Sequence, residues 1–229
     1  MMSPLEIEAL SLSLKVALWA VACSLPLGIA VAWLLARREF PGKALVDGIV
    51  HLPLVLPPVA LGYVLLVLFG RTGPLGIWLH DWFGINLVFS WRGAALAAAV
   101  MAFPLMVRAV RLSMEAVDRR LETAAQTLGA KPWRVFLTIT LPLTAPGILT
   151  GLLLSFIRCL GEFGATITFA ANVPGETRTL PLALYTALQI PGGEAGATRL
   201  ALISVALAIT ALMASQYLAK QVSKRIGLS

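Results

Sequence analysis

The sequence predicts an all-α polytopic membrane protein with five transmembrane helices, or six if a further segment between 159 and 198 crosses. Composition is the first observation. The 229 residues are 59% hydrophobic and only 13% charged, whereas soluble domains run about 45–50% apolar and about 25% charged. A single water-facing core of this size cannot hide so much apolar surface, but lipid can solvate it. Long uncharged runs are the second observation, and a one-sided distribution of basic residues is the third.

A span needs about 20 apolar residues at about 1.5 Å rise each. Residues 16–36 and 52–70 carry no charge. Residues 93–107 are bounded by Arg92 and Arg108, whose side chains can snorkel, so this span is expected to include both and part of Phe89–Trp91. Residues 135–157 form the fourth run and 200–219 the fifth. The first run does not read as a cleavable signal: its apolar stretch is too long, and Glu6 and Glu8 stand where a basic n-region belongs.

Five spans place three basic segments on one side. These carry Arg37, Arg38 and Lys43; Arg108, Arg111, Arg119, Arg120, Lys131 and Arg134; and Lys220, Lys224 and Arg225, together 12 of the 18 basic residues. That side is expected to be the cytoplasm, with the N-terminus outside. Trp78, Trp82 and Trp91 then form an outer interfacial belt. The net charge of +7 is thereby assigned to topology, not to nucleic acid. The expected organisation is an outer tail at 1–9, a transmembrane domain at 10–219 and a cytoplasmic tail at 220–229.

Segment 159–198 reads as a continuation of the fourth helix, an outer loop and a short interfacial or re-entrant helix near 180–189. Pro26, Pro57, Pro58, Pro104, Pro142 and Pro146 lie in or beside spans and are expected to kink helices; the 57–58 pair is also a candidate for lining a pathway. Small residues such as Gly28, Ala94, Ala98, Gly147 and Gly151 permit close helix contact.

The stretch 115–142 carries the most information. A helix is expected over Asp118–Leu128, closed by Gly129, with Pro132 opening a second helix that runs into the fourth span. Two short helices meeting at an angle form a protruding knob with small residues at its tip. The pattern equally suits an amphipathic linker on the membrane surface.

The run TAAQTLGAKPWRVFLTITLP resembles the EAA loop of permease subunits of bacterial ATP-binding-cassette importers, with Ala124, Ala125, Gly129, Ile139, Leu141 and Pro142 in matching positions. The motif's glutamate register falls on Thr123, with Glu122 one residue early, which weakens the expectation of a specific salt bridge from that acid. The segments at 40–66, 89–112 and 161–185 are similar to permease subunits of molybdate importers. Sulfate and thiosulfate permeases share a GEFG-type segment like the one at 161–164 and remain the alternative.

This resemblance implies a type I importer fold in the bacterial inner membrane, surrounded by lipid. It implies a homodimer of this chain, two cytoplasmic ATP-binding subunits and a periplasmic molybdate-binding protein, with tungstate as an expected co-substrate. It also implies a coupling helix that docks into the ATPase. Leu121, Glu122, Thr123, Ala124, Ala125, Leu128, Gly129, Ala130 and Phe136 are the docking candidates.

A tetrahedral dianion needs donors that replace water without trapping the ion. Arg158, Glu162, Thr166, Thr168 and Asn172 are the candidates for a pore or gate. Arg158 and Glu162, spaced i,i+4, suit either a structural ion pair or a neutralised gate. Glu176, Thr177 and Arg178 are candidates for contact with the binding protein, or simply a surface loop.

There is no GxxxxGK[ST], HExxH or Ser-His-Asp pattern. No catalytic site, cofactor or metal is therefore expected. Cys23 and Cys159 suggest no disulfide framework, and His51 and His80 are isolated. The rival classes are a secondary anion carrier, an intramembrane enzyme and a passive channel. A carrier would need an ion-coupling set at membrane depth, and a channel would not need the knob.

Overall fold

The structure is a computed structural model describing residues 3–226. The ends of both expected tails, Met1–Met2 and Gly227–Ser229, lie outside the described residues. The described residues form helices and connecting turns: α1 (Pro4–Arg37), α2 (Lys43–Val55), α3 (Pro58–Phe69), α4 (Pro74–Phe83), α5 (Trp91–Ala116), α6 (Arg119–Thr127), α7 (Pro132–Val135), α8 (Leu141–Leu143), α9 (Ala145–Leu160), α10 (Gly164–Phe169), α11 (Leu180–Gln189) and α12 (Glu194–Ile226). A π-helical turn, Phe136–Thr140, joins α7 to α8.

Three unbroken helices, α1, α5 and α12, are long and apolar enough to cross a membrane, and two bent pairs raise the count to five. The extra pieces α10 and α11, of 6 and 10 residues, are too short to span. The helices exceed the apolar runs that announced them. α1 starts at Pro4, where Ser3 and Glu6 form a reciprocal capping box, so most of the expected outer tail is helical. α12 likewise continues past 219 into the expected cytoplasmic tail.

The expected second span is not one helix. α2 and α3 meet at 117°. The cause is the Pro57–Pro58 pair, because each proline pushes the residue before it out of the helical region. Leu56 and Pro57 accordingly have ψ of 140° and 132°. The fourth span is bent too, by 67° at Thr144. Here Pro142 and Pro146 remove backbone donors, and the buried Thr144 hydroxyl donates to the carbonyls of Thr140 (2.9 Å) and Leu141 (3.1 Å). By contrast, Pro26 and Pro104 sit inside continuous helices.

The core lies where α1, α5 and α9 meet. Ala94, Ala98 and Ala102 repeat every fourth residue on α5 and are at most 1–2% exposed. α9 packs along this helix: the Ser155 hydroxyl donates to the Ala102 carbonyl at 3.3 Å, the Cys159 thiol to the Ala98 carbonyl at 3.5 Å, and a Cβ on Gly151 would stand 3.1 Å from the Met106 carbonyl oxygen. A Cβ on Gly28 of α1 would stand 2.8 Å from the Met106 sulfur. Small residues thus bring three helices into backbone proximity, where close packing replaces the hydrophobic drive that lipid cannot supply.

Contacts across the bundle define its two ends. At one end Arg199 Nε donates to Glu6 Oε1 at 2.9 Å, and the buried Ser13 hydroxyl accepts from Leu180 N at 2.7 Å. At the other, Arg111 Nη1 donates to Asp47 Oδ1 at 3.0 Å and Arg37 Nη2 to Glu122 Oε1 at 2.9 Å. The basic segments 37–50 and 108–134 therefore meet at one end.

Candidate functional site

The knob stands at that basic end. Asp118 caps α6, its side chain accepting from Arg120 N at 2.9 Å. Gly129 closes the helix in the left-handed conformation, φ +86°. Gly129 N donates to Gln126 O (3.0 Å) and Ala130 N to Ala125 O (3.0 Å), the paired bonds of a Schellman motif. A Cβ on Gly129 would meet nothing within 4 Å, so glycine serves its backbone and not packing. Pro132 then opens α7.

Side-chain contacts lock the knob to the bundle. Glu122 Oε1 accepts from Arg37 Nη2 at 2.9 Å and from Thr140 Oγ1 at 2.7 Å. One carboxylate oxygen thereby ties α6 to the end of α1 and to the π-helical turn. Arg37 and Glu122 side chains are 7% and 17% exposed. Arg119 Nη2 donates to Ala36 O at 3.1 Å. The Phe136 ring meets Trp33 edge-on, centroids 6.1 Å apart.

This geometry corrects the expectation for Glu122. The acid lies one residue off the motif register, yet it makes a specific, largely buried salt bridge. It faces the bundle, where Arg37 and Thr140 hold it, while Thr123 beside it on the helix is exposed. The candidates divide by exposure. Leu121 is 49% exposed and Leu128 89%, with Thr123, Ala124 and Gly129 also outward and Ala125 and Ala130 half-buried. Phe136 is half-buried against Trp33 and lies on the knob's inner side. Trp133, 62% exposed, extends the outer surface.

At the opposite end, α10 packs on α3. A Cβ on Gly62 would fall 2.7 Å from the Ala165 carbonyl oxygen and 2.8 Å from Thr168 Cβ, and one on Gly164 would fall 2.7 Å from Pro58 Cβ. The Phe69 and Phe169 rings meet edge-on at 6.5 Å. The double proline therefore aims α3 at α10, and two glycines let them touch.

Arg158 and Glu162 are brought together, Nη1 donating to Oε2 at 2.6 Å, with side chains 29% and 2% exposed. The other Glu162 oxygen accepts from Ala165 N at 2.9 Å, so the acid also seats the start of α10. Thr166 is buried, and the Thr168 hydroxyl donates to the Gly164 carbonyl at 2.9 Å. Asn172 Nδ2 donates to Thr186 Oγ1 (2.7 Å) while its Oδ1 accepts from Arg178 Nε (2.9 Å). Asn172 thus bridges α11 to the preceding loop, next to Ala171 at φ +62°.

Of the three outer-contact candidates, Glu176 is exposed and Arg178 half-buried. Thr177 requires correction. It is fully buried, its hydroxyl accepting from Val173 N (2.8 Å) and donating to Ala171 O (3.1 Å). It shapes the turn and offers no side-chain surface. Sequence reading also missed Arg37, Thr140 and Trp33 as knob partners. Arg37 lies 85 residues from Glu122, and only its place as a cation at a span end hinted at a role.

Residues 24–224 match the family described as the inner membrane component of binding-protein-dependent transport systems. The chain is 64% identical over 222 residues to the molybdenum transport system permease protein ModB of Escherichia coli K12, covering 97% of each. Its identity to the ModB of Haemophilus influenzae is 57% over 223 residues, again 97% of each. The sulfate transport system permease protein CysW of Synechocystis is 37% identical over 201 residues, 86% of this chain and 72% of that protein. A crystallised bacterial ABC transporter that imports alginate superposes with a TM-score of 0.75 at 16% identity, over 97% of this chain and 81% of that one. That likeness speaks to fold.

Proposed function

The chain belongs to the family of inner-membrane components of binding-protein-dependent transport systems, and from that premise we propose that it is the permease of a molybdate importer, with tungstate as a second substrate. Such a component carries the pathway, while a separate ATPase subunit hydrolyses ATP. The observation that carries the substrate assignment is the 64% identity along nearly the whole chain to a molybdenum permease, against 37% for a sulfate permease.

The working unit is a homodimer of this chain, with one ATPase under each knob and a binding protein on the opposite face. The N-terminus lies outside and the basic end in the cytoplasm, as the positive-inside rule favours. Leu121, Leu128 and Trp133 dock into the ATPase through an apolar contact around the small tip residues. When ATP draws the ATPase subunits together, each knob moves as a rigid body. Glu122 passes that displacement to α1 through Arg37, and to α9 through Thr140 and the π-helical turn. The α3–α10 contact at the outer end then separates or closes, exposing the pathway alternately. Arg158 and Glu162 hold α10 in place beside the path as a neutral pair, so a dianion meets no net charge of either sign there. Glu176 and Arg178 meet the binding protein.

The test is reconstitution in vesicles with the ATPase and the binding protein. ATP-dependent molybdate accumulation, competed by tungstate and poorly by sulfate, is the expected result. Sulfate uptake with molybdate excluded would overturn the substrate assignment. Uptake driven by an ion gradient without the ATPase would overturn the ATP-driven reading as a whole.

A further inference from the structure

Between α1 and α5, outside the coupling machinery, runs an open groove of about 470 Å³. Its walls are Trp19, Ala20, Cys23, Ala95, Leu96 and Ala99, with Trp91 and Arg92 at one end. The wall residues of α1 and α5 recur at helical spacing, so the groove follows the helix axes through the membrane-embedded belt.

The end is built differently from the walls. Lys15 Nζ sits 4.0 Å over the centre of the Trp91 ring, and the Arg92 guanidinium lies 5.7 Å from the same ring. Trp19 packs against Trp91 with centroids 5.9 Å apart. Neither Lys15 nor Arg92 is in an ion pair among the described residues. Two cations without a carboxylate therefore crown an apolar slot, at the level where α5 begins and the uncharged part of α1 begins. The level at which apolar spans begin is where aromatic and basic residues anchor beside lipid headgroups.

We propose that this groove binds one anionic phospholipid, an acyl chain lying along Ala20, Cys23, Ala95 and Ala99 and the phosphate seated between Lys15 and Arg92. Charge complementarity selects this occupant. A net-negative headgroup offsets charge at the two cations and adds none of its own sign, whereas a zwitterionic headgroup brings a further cation beside them. A second copy of this chain, itself carrying +7, would have to supply an acid opposite two bases.

The experiment uses the full-length chain in nanodiscs, with Trp33, Trp78, Trp82 and Trp133 changed to Phe so that, of its six tryptophans, Trp19 and Trp91 report. Brominated-acyl phosphatidylglycerol and brominated-acyl phosphatidylcholine are titrated as quenchers. Phosphatidylglycerol is expected to reach half-maximal quenching at a several-fold lower mole fraction. Lys15→Gln with Arg92→Gln should remove that preference, and Lys15→Arg with Arg92→Lys should keep it. Ala99→Phe, which leaves both cations in place, should lower quenching by either lipid. Equal quenching of the parent protein by the two lipids, or a preference that survives the double glutamine change, overturns the site. Absence of quenching by both lipids also overturns it, since the groove is then covered by protein.

Discussion

The Arg37 guanidinium donates to the Glu122 carboxylate at 2.9 Å across 85 residues of sequence, and both side chains are largely withdrawn from solvent. Thr140 donates to the same carboxylate oxygen. The knob is therefore joined to the bundle by a charge-assisted bond as well as by the chain on either side of it, and this join is the place to break the transmission without removing the docking surface.

Glu122→Ala leaves the Arg37 cation buried beside the knob without its partner. Breaking a buried pair costs about 3 kcal/mol at the lower end of the usual range. ATP-driven uptake should fall at least tenfold, and thermal stability in detergent should drop. Arg37→Met combined with Glu122→Ala should regain much of the stability but not the uptake, because the mechanical link stays absent. Uptake unaffected by Glu122→Ala would contradict the transmission route.

Gly129 and Leu128 separate folding from docking. Gly129→Ala forces a Cβ into the left-handed region at a cost of about 1 kcal/mol, with no steric clash to add. Gly129→Pro is worse, since proline cannot reach φ +86°, and should abolish uptake while the protein still inserts. Leu128→Glu changes a side chain that is 89% exposed, so stability should hold. Co-purification of the ATPase should weaken. An unchanged ATPase yield would exclude the outer knob as the docking surface.

Gly62→Leu tests the contact of α3 with α10. Its Cβ would stand 2.7 Å from a backbone oxygen, which cannot rotate away as a side chain can. Overpacking of this kind costs about 1–3 kcal/mol. Uptake should fall severely while ATPase association at the other end stays intact, and normal uptake would remove this contact from the mechanism.

Arg158→Gln strands the buried Glu162 carboxylate, whereas Glu162→Gln leaves a partly exposed cation. The first should therefore harm assembly more than the second. The double change should recover stability relative to Arg158→Gln, with a coupling energy of about 1–3 kcal/mol in a double-mutant cycle. Additive effects would mean that the 2.6 Å pair contributes little.

The local punctuation of the chain was legible from the sequence. Gly129 as a terminator and Pro132 as a helix opener each act through their own backbone, while Asp118, expected as the first helical residue, caps the helix instead. The Arg158–Glu162 pair is i,i+4 on one chain segment, and the small-residue faces recur at helical spacing. The resemblance at 123–142 supplied the importer reading, and the family match agrees with it. Glu122 was the instructive miss: motif register tracks sequence position, but a carboxylate's partner depends on which side of the helix faces the bundle. Thr177 was misread for a similar reason, as a polar residue in an outer loop that in fact closes its own turn.

What the sequence by itself determined is the membrane class, the turn that closes the knob helix at Gly129 and the basic end of the bundle, because apolar length, turn residues and charge asymmetry act over a few residues at a time. Only the tertiary structure decided that the double proline turns α2 from α3 by 117°, that α3 lands on α10, and that Arg37 and Thr140 hold Glu122. Those outcomes depend on which distant helices small residues allow to approach, and no spacing within one segment encodes a partner 85 residues away.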